Sequence, residues 1–343
     1  MVPYLKTKSM IHIILCKRRI IIFIESIKII SNLNTMNIVF LDAKTVGNVS
    51  NLNDLKKFGE VTFYQTTSPS QTEKRIKEAD IVITNKVVLN GELINGAENL
   101  KLICVAATGM NNIDRDAARQ AGIPVKNVSG YSSNCVAQTT FAMILHLVQK
   151  IPQYDQFVKS GEYAQHDIFT NMDISFSEIC GKQFGIIGLG NIGSKVATIA
   201  EAFGAKVVYY STSGRNLDRQ YPHKELNELL KTSDFVSIHA PLNENTKGLI
   251  SYDELKLMKE SAILINAGRG GIVNEADLAK ALDEDQIAGA ALDVFVEEPI
   301  NADNPLLSIK NKHKLVMTPH IAWASIEART ELLDGVMQNI EEF

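Results

Sequence analysis

Cysteine is scarce in this sequence, and its spacing excludes more than its number. Cys16, Cys104, Cys135 and Cys180 are the only four in 343 residues, with no Cys-x-x-Cys pair and no Cys/His metal spacing. That argues against a disulfide-stapled scaffold and a structural zinc site, and predicts reduced, mostly buried thiols in a cytoplasmic protein. An excess of positive charge is also missing. The formal net charge is −4, so neither nucleic acid nor an anionic membrane is expected as a partner. Long uninterrupted apolar runs are missing too. The Ile-rich stretch MIHIILCKRRIIIFIESIKII is broken by Lys17, Arg18, Arg19 and Glu25, whereas a spanning helix needs roughly 20 apolar residues in a row. It also lacks the charge-first, small-residue-last order of a signal peptide. MNIVFLDA, from Met36, reads as a natural first strand. Residues 1–35 are therefore expected to be a leader outside the fold, with an appendage or membrane-surface anchor as the alternative.

What is present is alternation. NIVFLDA, VTFYQ, DIVITN, LKLICVAATG and IPVKNV read as strands, separated by helices at Asn51–Phe58, Ser70–Glu78, Gly91–Gly96 and Arg115–Ala121. A longer helix from about Asn134 to Gln149, with Val136, Phe141, Ile144, Leu145 and Val148 on its apolar stripe, is expected to carry the chain into a second domain. There KQFGIIGLG, KVVYY, FVSIHA, AILINA, IAGAALDVF and KLVMTPHI continue the pattern, and a last helix covers Ser325–Glu342. Short Val/Ile-rich strands alternating with amphipathic helices predict an α/β protein of two doubly wound parallel-sheet domains. Such sheets place ligands at the carboxyl ends of their strands.

One such end carries Gly188-Leu189-Gly190-Asn191-Ile192-Gly193. Alone, G-x-G-x-x-G is a weak signal. Here it follows an apolar strand and opens a helix whose stripe is Ile192, Val196, Ile199 and Ala200. The first glycine then permits the tight turn, the second lets a pyrophosphate approach the backbone, and the third lets the helix pack on the sheet. A dinucleotide cofactor, NAD or NADP, is expected. An acid that grips the adenosine ribose belongs about 18 residues beyond Gly193. Ser211 stands there instead, followed by Thr212, Ser213, Gly214 and Arg215. Removing that carboxylate removes its repulsion of a 2′-phosphate, and the hydroxyls and guanidinium offer to bind one. NADP is therefore favoured over NAD, the alternative being a solvated turn in an enzyme that still accepts NAD.

Three chemical residues each follow an apolar strand of this second domain: Arg269 in INAGRGG, Glu298 in LDVFVEEP and His320 in TPHIAWAS. Singly, each has a structural explanation. Together their roles are complementary. Reducing a 2-keto acid needs a hydride at carbon and a proton at oxygen. His320 is the natural general acid, Glu298 would orient it, and Arg269 would bind the carboxylate and polarise the carbonyl. In the first domain, the backbone N–H groups of Ala107, Thr108 and Gly109 would form a nest for the other side of the carboxylate.

These motifs, in this order from about Met36 onward, resemble the D-isomer-specific 2-hydroxyacid dehydrogenase family. VAATGMNNID and TPHIAWAS resemble most its glycerate dehydrogenase, or hydroxypyruvate reductase, branch. The resemblance implies a Rossmann cofactor domain at 135–320 inserted into a flavodoxin-like substrate domain formed by 36–134 and 321–343. It implies Arg269, Glu298 and His320 as the catalytic set. It implies cofactor contacts at His239, Ala240, Pro241, Thr246, Ala267 and Asp293, the last for the nicotinamide carboxamide. Lys86 and Trp323 are implied as weaker candidates for lining the substrate pocket, and the family is typically homodimeric. The substrate is expected to be a small 2-keto or 2-hydroxy acid, hydroxypyruvate or glyoxylate. Phosphoglycerate oxidation and a non-enzymatic, corepressor-like dinucleotide sensor are the alternatives. Ser211 departs from the family's frequent acid, and relatives commonly run on beyond NIEEF.

Overall fold

The computed structural model describes residues 36–215 and 217–343; the expected leader lies outside the described residues. Two compact units emerge, each an α/β unit built on one parallel sheet. The first comprises the described residues up to Val128 together with Leu332–Phe343. Its strands are β1 (Met36–Phe40), β2 (Gly59–Phe63), β3 (Ile81–Thr84), β4 (Leu102–Val105) and β5 (Val125–Asn127), in the order β2-β1-β3-β4-β5. Every residue of β3 and β4 is buried. Burial on both faces is why these strands read as unbroken apolar runs. Helices α1 (Pro69–Ile76), α2 (Gly91–Gly96) and α3 (Arg115–Gln120) connect them. The expected helix over Asn51–Phe58 is instead a 3₁₀ segment, Leu52–Lys57. Asn51, Asn53 and Asp54 favour turns over α-helix, and the bonds there run from residue i+3 to i (Asp54 N to Asn51 O, Phe58 N to Leu55 O).

The second unit is Ser129–Glu331. Its strands β6 (Gln183–Ile187), β7 (Lys206–Tyr210), β8 (Phe235–Ile238), β9 (Ile263–Asn266), β10 (Gly289–Leu292) and β11 (Leu315–Met317) form one sheet in the order β7-β6-β8-β9-β10-β11. The direction of winding reverses between β6 and β8, the switch point at which doubly wound sheets bind ligands. Alternate strand residues point to opposite faces, so each face has its own core. Val236, Ile238, Leu264 and Leu292 join one. Phe184, Ile186, Phe235 and Ile265 join the other, beneath helices α4 (Ser133–Gln149) and α6 (Asn191–Ala202). On α4, Phe141 stacks between Phe184 and Phe203 at 5.9 and 5.4 Å.

The units divide at Ser129 and Leu332, where 135 and 321 were expected. All of α4 belongs to the second unit, because Val136, Phe141, Ile144 and Val148 are buried in the core of that unit's sheet. The chain returns to the first unit only at Leu332, within α10 (Ile326–Glu341), where Asn339 Nδ2 donates to the carbonyl of Asn127 at 3.0 Å. Residues 321–331 stay with the second unit, tied by Asp293 and by Ser325 N donating to Cys135 Sγ. The structure adds a helix that was not expected, α5 (Ile151–Lys159), whose Ile151, Tyr154, Phe157 and Val158 recur at helical spacing although none of them is buried. The remaining short helices are α7 (Leu226–Thr232), α8 (Tyr252–Leu257) and α9 (Glu275–Asp283). The thiols also need correction. Cys104 is buried, and burial pushes its pKa up to about 12, but Cys135 is half-buried and Cys180 is exposed at a loop end.

Candidate active site

The glycine motif forms the turn from β6 into α6. Gly188 has φ +92, a conformation that favours glycine, and a side chain there would press on the His239 carbonyl and Ala240 N at 3.0 Å. A Cβ on Gly193 would collide with the carbonyl oxygen of Gly188. Gly190 is different: a Cβ there meets nothing within 4 Å. Two glycines thus make the turn possible and the middle one leaves open space before the helix. The first bond within α6 runs from Ser194 N to Gly190 O at 2.8 Å. The N–H groups of Asn191, Ile192 and Gly193 therefore face out of the helix terminus, at its positive end. That combination fits a dinucleotide pyrophosphate.

Ser211 follows β7 directly and is buried. Gly214 N closes a turn onto Ser211 O at 3.2 Å, and Gly214 has φ +65. Thr212 is half-buried, while Ser213 and Arg215 are exposed. His239, Ala240 and Pro241 follow β8. The His239 Nε2 bonds Ser237 Oγ at 2.8 Å, its Nδ1 is sealed without a partner, and burial pushes the imidazole pKa down to about 3. The hydroxyl of Thr246, a buried residue, donates to Pro241 O at 2.6 Å and accepts from Asn243 N at 2.8 Å. Thr246 thus closes this loop and has its hydroxyl engaged within it.

Arg269 lies in the turn after β9, behind the buried Ala267. It is half-buried, and its Nη1 donates to Gly268 O at 2.8 Å. Beyond β10, Asp293 is 1% exposed. Its Oδ1 accepts from Thr318 Oγ1 at 2.6 Å and Ile321 N at 2.9 Å, and its Oδ2 from Ala322 N at 2.9 Å. Burial raises its pKa, an effect those three bonds oppose. Asp293 therefore holds the loop that carries His320, besides its expected place near the nicotinamide. His320 itself has φ +54, uncommon for a side chain of its size, and its N–H donates to Asp293 O at 2.8 Å. Its Nδ1 meets Glu298 Oε2 at 2.6 Å, and Glu298 Oε1 accepts from Phe295 N at 3.0 Å. The structure thus joins Glu298 and His320 directly. Neither of these two bonds involves Arg269. Trp323 packs edge-on against Tyr131 at 6.3 Å.

In the first unit, Ala107, Thr108 and Gly109 follow β4. Thr108 Oγ1 donates to Val128 O at 3.2 Å, while the three backbone N–H groups make no hydrogen bond among the described residues. Lys86 is exposed, on the loop after β3. That loop is held by Asp42, 4% exposed, whose carboxylate accepts from Asn85 N at 2.9 Å, Lys86 N at 2.7 Å and Val87 N at 3.3 Å. Neither Asp42 nor Asn266, Ser237 or Tyr131 stands out in the sequence. A polar residue closing an apolar strand, as in FLDA and ILINA, was the available signal for the first two.

A cradle fitted to a pyrophosphate and a carboxylate-bound histidine at strand ends of the same sheet define a nicotinamide-dependent oxidoreductase. Comparison with known proteins narrows this. Residues 141–322 match the model of the D-isomer specific 2-hydroxyacid dehydrogenase, NAD binding domain. A candidate 2-hydroxyacid dehydrogenase of Haemophilus influenzae is 40% identical over 309 residues, 90% of this chain and 98% of that one. A hydroxypyruvate reductase of Blautia hydrogenotrophica is 37% identical over 84% of this chain and 90% of that one. Among solved structures, an acyclic imino acid reductase in complex with NADPH and D-Arg superposes with a TM-score of 0.80, at 31% identity, over 90% of this chain and 96% of that one. The chain belongs to the D-isomer-specific 2-hydroxyacid dehydrogenase family, and is an NAD(P)-dependent oxidoreductase of that family. Among the described residues, no helix is long and apolar enough to cross a membrane.

Proposed function

We propose that this chain reduces hydroxypyruvate, or the similar glyoxylate, to the D-2-hydroxy acid, with NADPH preferred over NADH. The observation that carries the reading is the 2.6 Å contact of His320 Nδ1 with Glu298, in the unit that holds the glycine cradle. With Nδ1 committed to a carboxylate, the other ring nitrogen, Nε2, is the one that bears a transferable proton. His320 gives that proton to the substrate carbonyl oxygen, and Glu298 stabilises the imidazolium that precedes transfer. Arg269 binds the substrate carboxylate through guanidinium N–H groups not used by Gly268 and polarises the adjacent carbonyl. From the first unit, the N–H groups of Ala107, Thr108 and Gly109 and the side chain of Lys86 are further candidates for substrate contact, and from the second unit Trp323. In this reading the first unit binds substrate and the second binds cofactor. When bound, the reduced nicotinamide supplies the hydride to the carbonyl carbon.

NADPH preference rests on what stands beyond β7. No carboxylate is there to repel a 2′-phosphate, and Thr212, Ser213 and Arg215 offer two hydroxyls and an exposed cation. The related imino acid reductase was solved with NADPH, which supports the reading. We further place the enzyme in the cytoplasm as a homodimer. The exposed Ile151, Val158, Ile168, Phe169, Met172 and Phe176 of the second unit suit contact with a second copy. Steady-state reduction of hydroxypyruvate and glyoxylate, with NADH and NADPH in parallel, tests the proposal. A tenfold advantage for NADPH is the expected result. An advantage for NADH would refute the cofactor assignment, and no turnover with any 2-keto acid would refute the activity.

A further inference from the structure

Asn266, the last residue of β9, is 2% exposed. It is almost sealed from solvent, and it bonds the turn that presents Arg269 at two points. Its Nδ2 donates to the Arg269 carbonyl at 2.9 Å, and its Oδ1 accepts from Gly268 N at 3.1 Å. The partners fix the amide's orientation, since a carbonyl needs a donor and an N–H needs an acceptor. Only a side-chain amide of this length offers both. The same residue also reaches the other half of the site. Its carbonyl accepts from Asp293 N at 3.0 Å, and Asp293 holds the loop of His320 through Ile321, Ala322 and the His320 N–H. The Arg269 turn has no slack elsewhere. A Cβ on Gly268 would lie 3.1 Å from Ala240 O, and one on Gly270 would collide with the carbonyl of Phe295. Phe295 in turn donates its N–H to Glu298.

We propose that Asn266 is the positioning residue that fixes Arg269 against the His320–Glu298 pair. This rests on the reading of Arg269 as the group that binds the substrate carboxylate. Asn266 would set the direction from which the guanidinium meets the substrate, without contacting it. A misplacement of about 1 Å in such a group is worth up to roughly a hundredfold in rate.

Asn266→Asp is the sharpest probe, because it keeps the size and the acceptor but puts an oxygen where the Arg269 carbonyl needs a donor. Asn266→Ala removes both bonds. Each variant is expected to lose at least about tenfold in kcat/KM for hydroxypyruvate, with the Kd for NADPH within about twofold of wild type. A general packing defect would weaken both. The decisive measurement is a double-mutant cycle. In an Arg269→Ala background, Asn266→Ala is expected to cost less than about twofold, because the group it positions is gone. Oxamate, a non-reacting analogue of a 2-keto acid, reads the same grip without turnover. Its affinity for the NADPH-loaded protein should fall in Asn266→Asp as kcat/KM does. Wild-type kinetics and oxamate affinity in Asn266→Asp would overturn the inference, as would an equal loss with and without Arg269. A wild-type protein that binds oxamate but reduces no 2-keto acid would instead strike the proposed activity.

Discussion

His239 is a neutral imidazole held at the rim of the candidate cofactor site, and that state makes a measurable demand on stability. Its pKa is pushed from 6.5 to about 3 by burial, and its Nδ1 is sealed without a partner. Because the folded pKa lies below the unfolded one, acid protonates the unfolded chain first. The stability contributed by the neutral ring is full above pH 6.5 and is lost as pH falls from there towards 3. At about 1.4 kcal/mol per pH unit, this amounts to about 2 kcal/mol at pH 5 and about 5 kcal/mol near pH 3. Comparison with His239→Asn isolates the effect, since the amide is polar but never charges and every other titrating group is common to both proteins. Chemical denaturation at pH 7 and pH 5 should show wild type losing about 2 kcal/mol more than the variant. Parallel losses would refute the reasoning and return His239 to an ordinary solvated histidine. The functional corollary is that His239 offers no positive charge to bound phosphates near neutral pH. On the proposed reading, the N-terminus of α6 and the exposed Arg215 remain to meet them.

Three further outcomes test separate parts of the site. Ser211→Asp restores a carboxylate beyond β7 and should lower the ratio of kcat/KM for NADPH over NADH by at least about tenfold; an unchanged ratio would mean that the 2′-phosphate binds elsewhere. His320→Ala should reduce kcat by roughly 10²- to 10⁴-fold while leaving NADPH affinity near wild type, and a retained rate would remove His320 as the acid. Gly193→Ala drives a methyl into the Gly188 carbonyl, so it should cost about 1–3 kcal/mol of stability and weaken NADPH binding; a thermal melt and a fluorescence titration read the two effects, and wild-type values in both would contradict the close packing of this turn.

What was legible in the sequence is what a few consecutive residues decide. β3, β4, β8 and β9 are buried along their whole length, and double burial writes itself as a run such as IVIT or ILIN. The glycine turn was legible because both its purposes, positive φ at Gly188 and close packing at Gly193, exclude other residues. Arg269, Glu298 and His320 were picked out as candidates because strand ends in a doubly wound sheet carry chemistry, and the structure brings Glu298 and His320 into contact. Helix α5 was overlooked although Ile151, Tyr154, Phe157 and Val158 fall at helical spacing; it is short, opens with Pro152 in its first turn and buries no side chain.

Three buried polar residues, two of them unnoticed in the sequence and the third expected only at the cofactor, share one physical role. Asp42, Asn266 and Asp293 are polar, almost wholly buried, and stand at or just beyond the ends of β1, β9 and β10. Each binds backbone groups of a loop that carries a candidate site residue: Lys86, Arg269 and His320 respectively. Burying a carboxylate is costly, and for both aspartates burial raises the pKa despite several opposing hydrogen bonds. An apolar residue would avoid that cost but would leave two or three backbone N–H or C=O groups without their partner, at about 1–3 kcal/mol for each that is buried. The loops therefore need these side chains in order to be buried at their bases and exposed at their tips. Which amides a strand-end acid will meet depends on the register of neighbouring strands, such as the pairing of Leu292 with Asn266. That pairing joins segments far apart in the chain, which is why the candidate site residues were easier to read than the groups that hold their loops in place.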